Sequence, residues 1–214
     1  PLASRVERVV VFGRPTLSRP VSALLAREEV EVVVVAGGPD YVDPGWRAGL
    51  VAAAVTLEPG NPGWLEEWRA ADAAAAARVA AVTGPHGTLA GPELARLVVG
   101  AVPAGEALFL ASSSPVRDAD LAPVRSDPPL VLANRGLAGI DGTVSSATGA
   151  ALALGRPVPL LCGGLAFGHD AGALAIGGSE PRPDLRVVVA DDRGGSIFAG
   201  LEYGQERFAA AFER

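Results

Sequence analysis

The sequence predicts an α/β protein built on parallel sheets with helices on both faces. Three observations carry that expectation. Six short apolar runs recur with Gly, Pro or Ser at their ends, helix-length stretches separate them, and the later runs each open into a polar or glycine-rich loop. Continuous rather than alternating apolar runs mark strands buried on both faces, as in parallel sheets joined by crossover helices. Ligands of such sheets bind beyond the carboxyl ends of the strands.

Taken in order, the strands are expected at 9–12, 30–35, 108–111, 130–133, 158–162 and 187–190. Helices are expected at 21–27, 64–82, 92–99, 143–154 and 171–176, with a polar helix-like tail at 205–214. The stretch Thr-Gly-Pro-His-Gly-Thr-Leu-Ala-Gly at 83–91 reads as a linker, because it concentrates turn formers between two helical patterns. It divides the chain into a first part, 1–82, with two strands, and a second part, 83–214, with four. Two strands are too few for a complete doubly wound domain, so the chain reads as the later portion of one domain followed by most of another.

Composition narrows the function classes. A hydrophobic content of 49% leaves a substantial core, and with only 5% aromatics Ala, Val and Leu must fill it. There is no lysine, so all 18 basic residues are arginine, and there is no methionine. The net charge of −6 and pI near 5.0 argue against nucleic acid as a partner, which requires a basic surface. No apolar run approaches the roughly 20 residues that a membrane helix needs, so no membrane insertion is expected and the cytoplasm is the expected location. The single Cys162 excludes an internal disulfide and sits in an apolar run, as a buried small hydrophobe.

The chemistry gathers where strands end. After 108–111 comes Ser-Ser-Ser-Pro-Val-Arg, at 112–117. After 130–133 comes Asn-Arg-Gly-Leu-Ala-Gly-Ile-Asp-Gly, at 134–142, and then a small-residue helix. The third loop, 163–170, reads Gly-Gly-Leu-Ala-Phe-Gly-His-Asp, and the fourth, 191–198, reads Asp-Asp-Arg-Gly-Gly-Ser-Ile-Phe. Parallel pairing would bring all four loops to one sheet edge. Glycines let backbone N–H groups approach an anion, the helix after Gly142 adds positive partial charge, and Arg135 offers a planar fork for carboxylate or phosphate. Asp191 or Asp192 could hold a divalent cation, so a diphosphate-sized anionic ligand is the expectation. His169 beside Asp170 invites a hydrolase reading, but no nucleophile accompanies the pair. A nucleotide-binding module lacks its Gly-x-Gly-x-x-Gly after the first strand. Each loop also has a structural reading, the Ser112–Ser114 run as a helix cap and the aspartates as turn residues.

These motifs occur together elsewhere. Ser-Ser-x-Pro-Val-Arg, Asn-Arg-Gly-x-x-Gly-Ile-Asp-Gly-Thr-Val-Ser and Gly-Gly-x-Ile-Phe, with Gly-Arg-Pro-Thr-Leu-Ser-Arg-Pro-Val at 13–21, resemble the 2-succinyl-5-enolpyruvyl-6-hydroxy-3-cyclohexene-1-carboxylate synthases of menaquinone biosynthesis, a thiamine-diphosphate-dependent family, in their actinobacterial form. The resemblance implies a homodimer or homotetramer with three α/β domains per chain. This chain would hold the later part of the central domain and most of the diphosphate-binding domain, without the domain that supplies the activating glutamate. It further implies acidic small-molecule substrates, with 2-oxoglutarate decarboxylated and the product added to isochorismate. Ser113, Arg117 and Arg135 would hold substrate carboxylates, joined by Arg19. Ile140 and Gly139 would contact the cofactor, and Phe198 and Leu201 would wall the cavity. Gly163, Gly164, Leu165, Asp192, Gly194, Gly195, Ser196 and Ile197 would surround the diphosphate, with Asp192 and the Gly194 carbonyl on Mg²⁺.

One departure stands out. The family carries Gly-Asp where this chain has Gly163-Gly164, and that aspartate is a Mg²⁺ ligand; Gly164 has no side-chain oxygen to offer. Arg193 adds a positive charge to a turn that is rich in Asn in the family. The alternative is therefore a non-catalytic paralogue or regulatory subunit that has lost its metal, against which stand the retained Arg117 and Arg135.

Overall fold

The structure, a computed structural model, describes residues 2–38, 40–84 and 89–200. It contains two all-parallel sheets, and its backbone divides into two compact units that part within one helix, between Ala74 and Ala75.

The first unit is a three-stranded sheet in the order β1-β2-β3, formed by β1 (Arg8–Phe12), β2 (Glu31–Val35) and β3 (Ala48–Ala52). Val11, Val30, Val32 and Val34 form its core, with Leu24 and Leu25 of α1 (Arg19–Leu25) packed against them. The sequence predicts only two strands here, and β3 is the addition. Its residues are half-buried or exposed and include Gly49, so no continuous apolar run marks it. The strand is set up from outside. The Asp43 carboxylate accepts hydrogen bonds from the Ala48 and Arg47 amides at 2.8 and 2.9 Å, which holds its pKa below the usual carboxylate range. α2 (Pro62–Thr83) follows, and in its first turns Trp64 meets Trp68 edge-on while the Arg5 guanidinium stacks over Trp64 and pairs with Glu67.

The second unit holds four strands in the order β5-β4-β6-β7: β4 (Ala107–Leu110), β5 (Leu130–Leu132), β6 (Val158–Gly163) and β7 (Leu185–Ala190). Both faces are covered, as the continuous apolar runs require. Ala107 and Phe109 on β4, and Val158, Leu160 and Cys162 on β6, pack against Val144, Ala147 and Ala151 of α5 (Thr143–Leu154). The alternate residues Leu108, Leu110 and Leu161 face the other way, onto Ala95 of α3 (Gly91–Ala101) and Val116 of α4 (Ser114–Ala119). Cys162 is fully buried and desolvation pushes its thiol up to about 11, which fits the expectation of a packing residue. α4 is the helix that the alternative reading of Ser112–Ser114 as a cap implied, and one helix was not predicted, α6 (Gly164–Asp170), whose sequence reads as a loop. The helix expected at 171–176 is a 3-10 turn, Ala171–Leu174. The predicted tail helix lies outside the described residues.

Chain order and strand order together locate a crevice. From β4 the chain steps outward to β5, then returns past β4 to β6 and continues to β7. The direction therefore reverses between β4 and β6, and a parallel sheet opens a ligand crevice at that reversal, beyond the carboxyl ends of the strands.

Candidate functional site

A cleft of about 310 Å³ lies at that place. The loop after β4 contributes Ser113, Ser114 and Pro115; the start of α6 contributes Gly163, Gly164, Leu165 and Ala166; and the turn after β7 contributes Asp192, Gly194, Gly195, Ser196, Ile197 and Phe198. Ile140 is the one residue of the loop after β5 that reaches it, and Gly91, Pro92, Asp118 and Ala190 complete the wall.

The loops converge because each is pinned by its own chemistry. Ser113 sits at φ 78°, ψ −141°, a region almost reserved for glycine, and the Arg117 guanidinium donates to its carbonyl at 2.7 Å. Neither serine caps α4 with its hydroxyl: Ser112 instead donates to the Asn134 carbonyl at 3.3 Å. The Asn134 amide donates to Ser146 Oγ at 2.9 Å, and Ser146 donates in turn to the Gly142 carbonyl at 2.7 Å. This half-buried chain of polar groups ties the ends of β4 and β5 to the start of α5. On the β7 side, Asp192 Oδ1 accepts from the Gly194 amide at 3.1 Å, while Oδ2 accepts from the Ser196 amide at 3.1 Å and from the Ser196 hydroxyl. A Cβ on Gly195 would fall 2.6 Å from the Phe198 ring, so only glycine lets that ring lie against the turn.

Of the residues expected to form the site, Ser113, Ile140, Gly163, Gly164, Leu165, Asp192, Gly194, Gly195, Ser196, Ile197 and Phe198 line this one cleft. Arg135 and Gly139 do not. They line a second, more open cleft of about 650 Å³ formed by residues 133–141 with His169, and Ile140 is common to both. Arg117 lines neither cleft, and its guanidinium is held on Ser113. Arg19 opens α1 in the first unit, and Leu201 lies outside the described residues.

At the start of α5 the Asp170 carboxylate takes the Ser145 amide at 2.6 Å and the Ser145 hydroxyl at 2.9 Å, so that amide is not open to an anion. A side chain from the end of α6 thus caps α5, which also accounts for the Asp170 that stood beside His169 as a catalytic pair. Sequence reasoning missed Asp118. Its carboxyl is half-buried in the cleft wall, and desolvation raises its pKa. Its Oδ2 occupies the space of the Cβ that Gly91 lacks, 2.5 Å from that position. The available signal was its spacing: it lies four residues after Ser114, on the same helix face.

The donor chemistry separates the two implied ligands. The cleft has a volume typical of small-molecule sites, and at Gly163 and Gly164 it presents bare backbone. A diphosphate arm fits there. A protein-held Mg²⁺ does not: Gly164 has no oxygen, Asp192 already accepts three hydrogen bonds from its own turn, and among the described residues no group of three or more ligating side chains forms. Room for the missing ligand remains, since a Cβ on Gly164 would meet Asp191 Oδ1 at an ordinary 3.5 Å.

No protein-family model matches the chain. Individual relatives do. It is 49% identical over 230 residues to the 2-succinyl-5-enolpyruvyl-6-hydroxy-3-cyclohexene-1-carboxylate synthase of Nocardioides sp., covering 100% of this chain and 42% of the relative. The synthases of Kineococcus radiotolerans and Saccharopolyspora erythraea, of the same name, are 48% and 45% identical over 98% of this chain and 38% of their own length. The similarity to these synthases runs over nearly the whole length of this chain. The chain spans about two fifths of the length of the relatives it matches. Among the described residues no helix is long and apolar enough to cross a membrane.

Proposed function

We propose that this chain is the part of a thiamine-diphosphate-dependent 2-succinyl-5-enolpyruvyl-6-hydroxy-3-cyclohexene-1-carboxylate synthase that holds the cofactor's diphosphate. Residues 1–82 form the later part of the central domain and 83–214 most of the diphosphate-binding domain. The observation that carries the reading is the cleft at the strand-order reversal, where eleven of the residues that the family resemblance singled out line one wall system. The whole protein works as a homodimer or homotetramer on two acidic substrates, 2-oxoglutarate and isochorismate. Bound thiamine diphosphate would supply the electron sink for decarboxylation of 2-oxoglutarate.

The chain's own residues bind and orient. The glycine backbone at Gly163, Gly164 and Gly195 receives the diphosphate. Ile140 packs against the cofactor from the junction of the two clefts, and Phe198, with Leu201, excludes water from the cavity. Ser113 presents its hydroxyl to a substrate carboxylate, and Arg135 grips a carboxylate from the second cleft. Arg117 takes part through the strained Ser113 that it pins. A non-catalytic paralogue would need none of these arginines. The test is isothermal titration of thiamine diphosphate into the intact protein, with CO₂ release from 2-oxoglutarate measured alongside. Saturable binding with CO₂ release supports the reading, and no binding refutes it.

A further inference from the structure

The first cleft has a charge problem. Its described lining contains two carboxylates, Asp118 and Asp192, and no basic side chain. A diphosphate entering it meets negative charge, and Gly164 offers no side-chain oxygen for a cation that would offset it. Asp192 is compensated by the three hydrogen bonds from its own turn. Among the described residues the Asp118 carboxylate has no hydrogen-bond or ion-pair partner, and its Oδ2 lies so close to Gly91 that a Cβ there would fall 2.5 Å from it.

The charged groups on the elements packed around it do not answer it. On α3, Glu93 and Arg96 are paired with each other at 2.6 Å. On α4, Arg117 is committed to the Ser113 carbonyl. On β6 the one titratable group, Cys162, belongs to the core on the sheet's other face. Burial already favours the neutral form of Asp118.

We propose that Asp118 is a binding residue of this cleft which takes up one proton from solvent as the diphosphate-bearing ligand enters, and as a neutral acid donates a hydrogen bond to it. The proposal rests on the reading of the cleft as a diphosphate site. It makes cofactor affinity proton-linked: each unit by which the ligand raises the Asp118 pKa weakens binding about tenfold at a pH above that pKa.

The experiment is isothermal titration of thiamine diphosphate into the intact protein and its Asp118→Asn variant, from pH 6 to 8, in paired buffers of different ionisation heat. The ligand's own phosphate titration is common to both proteins and cancels in the difference. The wild type is expected to take up more protons than the variant, by up to about one, and to lose affinity with rising pH more steeply; at pH 8 the variant binds the more tightly. Asp118→Ala serves as a second neutral variant and is expected to lack the uptake as well. Equal proton uptake and parallel pH profiles in all three proteins would overturn the proposal while leaving the cofactor reading intact. No thiamine diphosphate binding by any of them would overturn both.

Discussion

Replacing Ser113 with glycine should stabilise the protein, which is the reverse of what glycine does at an ordinary position. Ser113 holds φ 78° and ψ −141° at the end of β4, and non-glycine residues in such regions carry about 1–3 kcal/mol of strain. Glycine removes that strain and costs about 0.5–1 kcal/mol through the freedom it adds to the unfolded chain. The Arg117 guanidinium bonds the residue's carbonyl, so that contact survives the change. The hydroxyl caps nothing in α4 and takes little stability with it. The balance is a gain of about 0.5–2 kcal/mol, or several degrees in Tm at about 2–4 °C per kcal/mol. Urea denaturation of wild type, Ser113→Gly and Ser113→Ala measures it. Alanine keeps the Cβ and the strain, so it should match the wild type, and both variants should bind the acidic substrate less well. A Ser113→Gly variant that loses 0.5–1 kcal/mol or so would refute the argument, because the backbone would then be carrying no strain.

Leu160→Ala empties a fully buried site between β6 and α5 and should cost about 2–5 kcal/mol, read as a lower urea midpoint with unchanged slope. Gly164→Asp places a carboxylate where there is room for its Cβ, and should make thiamine diphosphate binding at least about tenfold more responsive to Mg²⁺, measured by titration with and without EDTA. Asp118→Asn should also change stability with pH. Because burial raises the folded carboxyl's pKa, the wild type's share of stability is complete below the unfolded value near pH 4 and is lost as pH rises through the folded one. The variant should therefore be the more stable at pH 7, with the gap closing below about pH 4; a gap that widens on acidification would contradict this.

The parallel sheets were legible because burial on both faces writes itself as unbroken apolar runs, and Val158, Leu160 and Cys162 alternate with Leu161 between two cores. β3 left no such trace. It is short, half-exposed and held by the Asp43 carboxylate, a contact five residues away from Ala48 that hydrophobic pattern does not encode. α6 failed for a related reason. Gly164-Leu-Ala-Phe-Gly-His-Asp170 has two glycines in seven residues, yet the buried Ala166 packs into the α5 core and Asp170 bonds across to Ser145. Tertiary contacts impose that helix against its local preference.

The site shows the same division more sharply. Glycine-rich turns after strands located the cleft, since their place follows from chain order alone. Its charge did not follow, because charge depends on where side chains are committed. From the sequence, Arg117 and Arg135 look like the cations of an anion site. In the structure one is bound to a strained carbonyl and the other lines the neighbouring cleft, while a carboxylate with no motif around it, Asp118, lines the first. On the proposed reading, a diphosphate enters a cleft with two aspartates and no basic side chain among its described residues, and three sources can compensate its charge: backbone N–H groups, a cation carried by the ligand, and a proton. The Gly194 and Ser196 amides are taken by the Asp192 carboxylate, and Gly164 offers a cation no side-chain oxygen. Beside the glycine backbone at Gly163 and Gly164, what remains is a proton from solvent, and the carboxyl in the wall placed to take it is Asp118.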